Sequence, residues 1–127
     1  MIQSFRDLTV WQKGLTLAER VYLMTDALPR SEAYGLTSQM RRAAVSIPSN
    51  IAEGKAIGGR GYLRHLRIAL GSEAELQTQI ELAVRLKMLA RSDADRLLSE
   101  TSEVGRMLSS LLRSLLPPKA RRHGPTN

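Results

Sequence analysis

The stretch that decides the fold covers residues 36–55 and reads LTSQMRRAAVSIPSNIAEGK. Its apolar side chains recur every three or four residues, which is the spacing of one face of a helix rather than of a strand. We expect this helix to start at Ser31 or Leu36 and to stop near Lys55, where glycines loosen the chain into a connection. Pro48 removes a backbone donor inside it, which predicts a kink near Val45 to Pro48 or a break into two shorter helices. The helical face consists of Leu36, Met40, Ala43, Ile47 and Ile51.

Three further segments show helical spacing on either side of this stretch. They cover residues 8–28, about 61–88 and about 92–116; the last begins at a Ser92-x-x-Asp95 start signal and ends at Pro117-Pro118. Four amphipathic segments with short connections, and no alternating run long enough for a sheet, predict an all-α, up-down-up-down antiparallel four-helix bundle. We expect the bundle to occupy residues 1–116, followed by a basic, disordered tail over residues 117–127.

The first segment carries two rows of apolar side chains, which we call seams, and their number determines whether a monomer can bury them all. If both seams cannot face one core, a monomer leaves apolar surface exposed, and a ring-like homo-oligomer would cover it. The alternative is that the two seams form one wide stripe facing the core. One seam consists of Val10, Gly14, Leu17, Val21, Met24 and Leu28, and the other of Leu8, Trp11, Leu15, Ala18 and Tyr22.

The charge is strongly basic and locally concentrated. The chain has a formal net charge of +7, and 15 of its 19 cations are Arg. Arg60, Arg64 and Arg67 recur at i, i+4 and i+7, so they share one helix face that could follow a phosphate backbone. The alternative is that the charge serves solubility alone. The candidate nucleic-acid-binding residues are Arg41, Lys55, Arg60, Arg64, Arg67 and, in the tail, Lys119, Arg121 and Arg122.

Aromatic residues are scarce, so the sequence does not favour base stacking. We therefore expect any nucleic-acid binding to address the backbone or the shape, with weak sequence preference. RNA and DNA remain equally open as partners. Glu73 falls on the apolar stripe of the third segment, and we expect Glu73 or Glu75 to pair with an arginine of another helix.

The residues of catalytic chemistry are missing or isolated. The chain has no cysteine, and its two histidines stand in no ligand spacing such as H-E-x-x-H. The glutamates lack the Glu-x-x-His pairs of di-metal bundles, and the glycines at residues 58–61 match no phosphate-binding loop. We therefore expect no enzyme, metal or cofactor. With neither a signal peptide nor a membrane-spanning run, we expect a cytoplasmic protein.

Residues 39–54, QMRRAAVSIPSNIAEG, resemble the signature of the four-helix-bundle proteins encoded in intervening sequences of bacterial large-subunit (23S) ribosomal RNA genes. This signature and three further matching pieces, given below, together span about residues 5 to 90. The chain departs from the pattern at residues 57–61 and at Lys87-Met88, where the family commonly has Gly-Tyr. Three further pieces agree with the family: Phe5-x-x-Leu8-x-Val10-Trp11-Gln12, Glu32-x-Tyr34-Gly35-Leu36 and Ile68-Ala69-x-Gly71-Ser72-x-x-Glu75-Leu76-x-Thr78-Gln79.

The resemblance implies a pentameric, barrel-like assembly and a relation to the accessory variability protein of diversity-generating retroelements, which is basic, binds nucleic acid and contacts a reverse transcriptase. It also implies structural roles. Arg42 and Glu53 or Glu75 are candidates for salt bridges between helices or subunits, and Asn50 for capping backbone groups near Pro48. Arg41 and Arg42 lining a central channel is the alternative.

Three functions follow as hypotheses. The first is an oligomeric accessory protein that binds nucleic acid through its Arg-rich face. The second is a protein-interaction scaffold in which the charge serves solubility. The third is an enzyme whose polar pocket forms only in the assembly.

Overall fold

A computed structural model of the protein describes residues 4–118, and these fold into four α-helices without a strand among them. The predicted all-α bundle is confirmed. Two short 3-10 turns, Phe5–Asp7 and Arg30–Glu32, precede the first and second helices. The helices are α1 (Thr9–Thr25), α2 (Leu36–Ile57), α3 (Gly59–Arg85) and α4 (Arg91–Leu115).

Each helix packs against its neighbours in the chain, and α1 closes the bundle against α4. The pair α2 and α3 has the most extensive contact, and α1 with α4 the least. Because the chain reverses at each short connection, α1 and α3 run in one direction and α2 and α4 in the other. Both ends of the described chain therefore lie at the end of the bundle where α2 gives way to α3.

The core is built from the helical faces that the sequence indicates. All five members of the α2 face are buried, as is the α3 face formed by Tyr62, Leu66, Ala69, Leu76, Ile80 and Ala83. Full burial of such an aliphatic side chain contributes about 1.5–3 kcal/mol. On α4 the buried face consists of Leu97, Val104, Leu108 and Leu112, whereas Leu115 in the last turn is 40% exposed.

Pro48 lies inside an unbroken helix, so the expected break into two shorter helices is wrong. The side chain of Pro48 is buried against α1 at Gly14, where a Cβ would come 3.4 Å from Ile47 Cγ2 and 3.6 Å from Pro48 Cβ. Tertiary packing therefore compensates for the lost backbone bond. Asn50 does not cap the carbonyl of Ala44 that Pro48 leaves without a donor. Its side-chain amide donates instead to the carbonyl of Ser46, at 2.8 Å.

The connections are tighter than the sequence predicts. The glycines at residues 58–61 do not form an extended loop: α3 begins at Gly59, and only Gly58, with φ of 77°, lies between the two helices. A positive φ is accessible to glycine at little cost, which permits this one-residue reversal. The start signal expected at Ser92 is also wrong, because α4 begins at Arg91 behind Ala90, whose side chain makes no capping bond.

Candidate nucleic-acid interface

One group of cations is engaged within the bundle. The Arg41 guanidinium donates to Thr25 Oγ1 at 2.8 Å, to Asp26 Oδ1 at 2.9 Å and to the carbonyl of Tyr22 at 3.3 Å. Its Cζ also lies 4.6 Å from the centre of the Tyr22 ring. Arg41 thus fastens α2 to the end of α1, and three of its donors have partners before any ligand arrives.

Three other cations have carboxylate partners. Lys13 pairs with Glu103, and Arg20 with Glu100, so both ion pairs bridge α1 and α4. Arg91 reaches Glu81 and Asp95, both at 3.3 Å. The hydrogen bond from Lys13 lowers the pKa of the Glu103 carboxyl, and the Glu81 and Asp95 carboxylates raise the pKa of Arg91. These exposed pairs neutralise charge locally and contribute little to stability.

A second group of cations has no such partners. Arg60, Arg64 and Arg67 are exposed on the outer face of α3, and within residues 4–118 none of them makes an ion pair or a side-chain hydrogen bond. They share the face that their spacing predicts. Lys55, at the end of α2, lies with its Nζ 5.7 Å from the centre of the Tyr62 ring on α3, which places a fourth cation beside them.

Helix α4 adds two arginines that the sequence reasoning missed. Arg106 and Arg113 line a cleft of about 490 Å³ between α3 and α4, opposite Leu70 and Glu73. Arg67 lies three residues before Leu70, about one turn away on the same side of α3. Their i, i+7 spacing in the sequence places Arg106 and Arg113 on one face of α4. The spacing does not indicate which helix that face packs against.

The two ends of the bundle differ in charge. Residues 4–17, 47–72 and 103–118 form one half, with eight cations and three acids. Residues 18–46 and 73–102 form the other half, with eight cations and nine acids. The first half, which we call the basic end, contains Arg60, Arg64, Arg67, Arg106 and Arg113, and none of these five makes an ion pair within residues 4–118. Lys119, Arg121 and Arg122 lie outside the described residues.

A polar network crosses the interface of α2 and α3. Ser46 Oγ lies 2.8 Å from Ser72 Oγ, and Asn50 bonds both Ser46 and the Nδ1 atom of His65, the latter at 2.8 Å. Glu53 Oε2 lies 3.5 Å from the same nitrogen of His65, so the partner of Glu53 is a histidine rather than an arginine. Gly54 permits this approach, because a Cβ there would come 2.9 Å from His65 Cβ.

Arg42 and Glu75 line a second cleft without bonding to each other. Both line a polar cleft of about 430 Å³ between α2 and α3, but no ion pair involves either residue within the described part of the chain. The salt bridge expected of them does not form inside the subunit. A bridge between subunits stays a prediction. Glu73 is likewise without a cationic partner among residues 4–118, although it is buried.

The second seam of α1 is partly uncovered. Leu15 and Tyr22 are 44% and 46% exposed, whereas Leu17 and Val21 of the other seam are buried. Together with Val45 of α2, Leu15 and Tyr22 line an apolar groove of about 460 Å³. Leu8 and Ala18 of the second seam are buried with the first, so the two seams merge only in part, and the groove is an apolar surface that self-association could cover.

Residues 4–118 show neither a metal-binding cluster nor a membrane-spanning helix. Residues 4–118 contain no group of three or more His, Cys, Asp or Glu side chains placed to hold a metal ion. None of the four helices is both long and apolar enough to cross a bilayer.

The fold and the surface define a class: a four-helix bundle with one basic end and an uncovered apolar groove. Comparison with known proteins gives the family. The model of the 23S rRNA-intervening sequence protein family matches residues 6–110, and the chain belongs to that family. This bears out the resemblance seen in the signature of α2.

A solved structure shares the fold. A crystal structure of a protein with unknown function from the S23 ribosomal protein family of Bacteroides thetaiotaomicron is similar with a TM-score of 0.75 and 24% sequence identity. The similarity covers 82% of this chain and 95% of that one. No curated protein matches the chain. Neither the family description nor that of the solved structure names a catalytic activity.

Proposed function

We propose that this protein is a non-enzymatic, oligomeric bundle that binds the backbone of RNA or DNA through its basic end, as an accessory factor to another nucleic-acid-processing component. The observation that carries the proposal is the excess of positive charge at the basic end, which has eight cations and three acids, whereas the other half has eight cations and nine acids. At this end Arg60, Arg64, Arg67, Arg106 and Arg113 make no ion pair or side-chain hydrogen bond within residues 4–118. Unpaired guanidinium groups keep their donors for phosphate.

Arg41, although one of the candidate nucleic-acid-binding residues, is left out of the proposed contact set because its donors are engaged within the bundle. Lys55 stays in the set beside α3. If each of the five arginines contacts one phosphate, counterion release gives a slope of about −4.5 in log affinity against log salt on duplex DNA, and about −3.5 on single strands. Raising salt from 50 to 200 mM would then weaken binding roughly 100- to 500-fold.

Self-association would multiply this surface. The apolar groove of Leu15, Tyr22 and Val45 supports assembly through α1 and α2, and the family resemblance suggests a pentamer. In a closed ring every subunit presents the same end to the same side, so the basic ends would form one continuous surface. Linked sites of this kind raise avidity without new contacts.

The test is fluorescence anisotropy with labelled RNA and DNA across a salt series. The triple variant Arg60→Glu, Arg64→Glu, Arg67→Glu should lose most of the affinity and most of the salt slope. The matched control, Arg30→Glu, Lys87→Glu, Arg96→Glu, makes the same change in net charge at the opposite end, also at exposed cations without partners among residues 4–118. It should bind nearly as the unaltered protein does. Equal losses in both variants would reduce the effect to net charge and refute the proposed interface.

The second candidate is a protein-interaction scaffold, which the exposed apolar groove favours. In that case the unaltered protein would fail to bind either nucleic acid even at low salt. A protein partner, such as the reverse transcriptase that the resemblance suggests, would then be lost on changing Leu15 or Val45 rather than the arginines.

A further inference from the structure

The cleft between α3 and α4 has an acidic floor beneath a basic rim. Glu73, only 6% exposed, lies at the floor beside Gln77, while Arg106 and Arg113 lie along the same cleft on α4. Ser102, Ser109 and Ser110 complete its α4 wall. At about 490 Å³ the cleft falls within the range of small-ligand sites, which is roughly 300–1,000 Å³.

The Glu73 carboxylate is poorly satisfied by its own chain. The side-chain amide of Gln77 donates to Glu73 Oε2, and within residues 4–118 no other side chain bonds or pairs with this carboxylate. Glu73 Oε1 is not sealed off from the cleft, so it can accept from a further donor there. A ligand that donates hydrogen bonds at the floor would supply that partner.

Gly105 gives the carboxylate its room. A Cβ at Gly105 would lie 2.6 Å from Glu73 Oε1 and 2.7 Å from Glu73 Cδ. Only glycine lets α4 approach so closely without displacing the carboxylate. The sequence thus combines a buried acid on one helix with the absence of a side chain at the facing position on the other.

The floor and the rim of the cleft favour different groups of a ligand, hydrogen-bond donors at the floor and an anion at the rim. A carboxylate only accepts hydrogen bonds, and Gln77, which directs its amide nitrogen to Glu73, keeps its carbonyl oxygen as a second acceptor. The part of a ligand at the floor must therefore donate. The guanidinium groups of Arg106 and Arg113 favour an anion at the rim and repel ligands that are purely cationic, such as polyamines.

A nucleotide with a guanine base meets both demands. Guanine presents N1–H and the N2 amino group side by side on one edge, which matches the two parallel donors that a carboxylate accepts. Cytosine and adenine present one amino group there, and uracil a single N–H. The phosphate of the same nucleotide would lie towards the arginines. Proteins that read single strands use splayed-out bases in this way, through their hydrogen-bonding edges.

We propose that the cleft between α3 and α4 binds one unpaired guanine of a single strand, with Glu73 accepting from the base edge and with Arg106 and Arg113 holding the adjacent phosphate. This inference rests on the proposed nucleic-acid binding and deepens it. It departs from the weak sequence preference expected from the scarcity of aromatic residues, because recognition here comes from hydrogen bonding rather than stacking.

Anisotropy with three labelled single-stranded RNAs of equal length tests the inference at one salt concentration. One contains only uridine, one carries a single central guanosine, and one carries inosine at that position, which lacks the N2 amino group. The guanosine strand should bind about tenfold more tightly than the uridine strand, the order expected for a good bidentate base contact, and inosine should lose most of that gain. Glu73→Gln should abolish the preference while leaving uridine-strand binding intact.

The outcomes separate the two proposals. Equal affinity for all three strands would overturn the guanine site while leaving backbone binding in place, whereas failure of the all-uridine strand to bind at low salt would count against the proposed function itself. The inosine comparison uses the unaltered protein, so it stands even where Glu73→Gln unfolds. If Glu73→Gln instead weakens self-association and keeps the guanine preference, the cleft takes a side chain of another subunit and the proposal is wrong.

Discussion

Replacing either of two glycines in neighbouring helices with alanine is expected to change the stability of the fold in opposite directions. Gly54 of α2 lies against α3, where an added Cβ would come 2.9 Å from His65 Cβ and 3.3 Å from the backbone oxygen of Tyr62. Those atoms cannot rotate away, so α3 must shift as a whole. Gly71 of α3 is exposed, and a Cβ there would meet nothing within 4 Å.

The magnitudes follow from two opposing effects. Replacing a mid-helix glycine with alanine gains roughly 0.5–1 kcal/mol of helix stability. Overpacking an interface costs about 1–3 kcal/mol. Gly54→Ala should therefore lower the free energy of unfolding by about 1–2 kcal/mol, whereas Gly71→Ala should raise it by about 0.5–1 kcal/mol. The matching changes in Tm are roughly a 3–10 °C decrease and a 2–5 °C increase.

Thermal unfolding followed by circular dichroism, at one fixed protein concentration because the protein is proposed to assemble, measures both variants. Gly71→Ala is the control for the propensity gain common to the two substitutions. If Gly54→Ala proves as stable as Gly71→Ala, the close approach of α2 and α3 at His65 and Tyr62 is refuted.

Three further predictions address other parts of the molecule. Arg41→Ala should destabilise the bundle by about 1–2 kcal/mol, because it leaves Thr25 and Asp26 without their partner, while Arg60→Ala should be nearly neutral; urea unfolding compares them. The pKa of the Glu103 carboxyl is lower in the folded chain than its ordinary value of 4.5, so its pairing with Lys13 stabilises the fold above that pH and is lost as the pH falls through the lower folded pKa. Glu103→Gln should remove this part of the acid dependence in urea unfolding at neutral and acid pH, and an unchanged profile would exclude the pair as its source. Leu15→Ser should reduce the assembly mass in sedimentation velocity, whereas Ile57→Ser, at a 64% exposed position outside the groove, should not; an unchanged mass for Leu15→Ser would exclude the groove as an interface.

The sequence predicts the fold well, because the pattern that specifies it is local and repeated. The inward faces of α2 and α3 can be read from spacing alone, since each helix needs one apolar face and the spacing permits only one choice. The exceptions occur where a neighbour intervenes. Pro48 stays within a helix because its side chain packs against Gly14 of α1. No pattern within residues 36–55 indicates this contact.

The candidate site was predictable only in part, because its members belong to different helices. The face of Arg60, Arg64 and Arg67 follows from their own spacing. Arg41 was a candidate of the same kind, yet it is engaged by Asp26, which only the packing of α1 against α2 brings near. Arg106 becomes relevant only once α4 lies against α3. For Glu73, the periodicity indicated burial, but it could not show that the facing position is a glycine instead of an arginine.

The even number of helices has a practical consequence for labelling. Phe5 and Leu115 both lie at the basic end, so an affinity tag or fluorescent protein joined directly to either of these helical ends would stand beside the arginines and would mask them. Tyr34, fully exposed in the turn between α1 and α2, lies at the opposite end. A dye attached there, or a chain opened there by circular permutation, would leave the basic end clear and would report on it from a full helix length away.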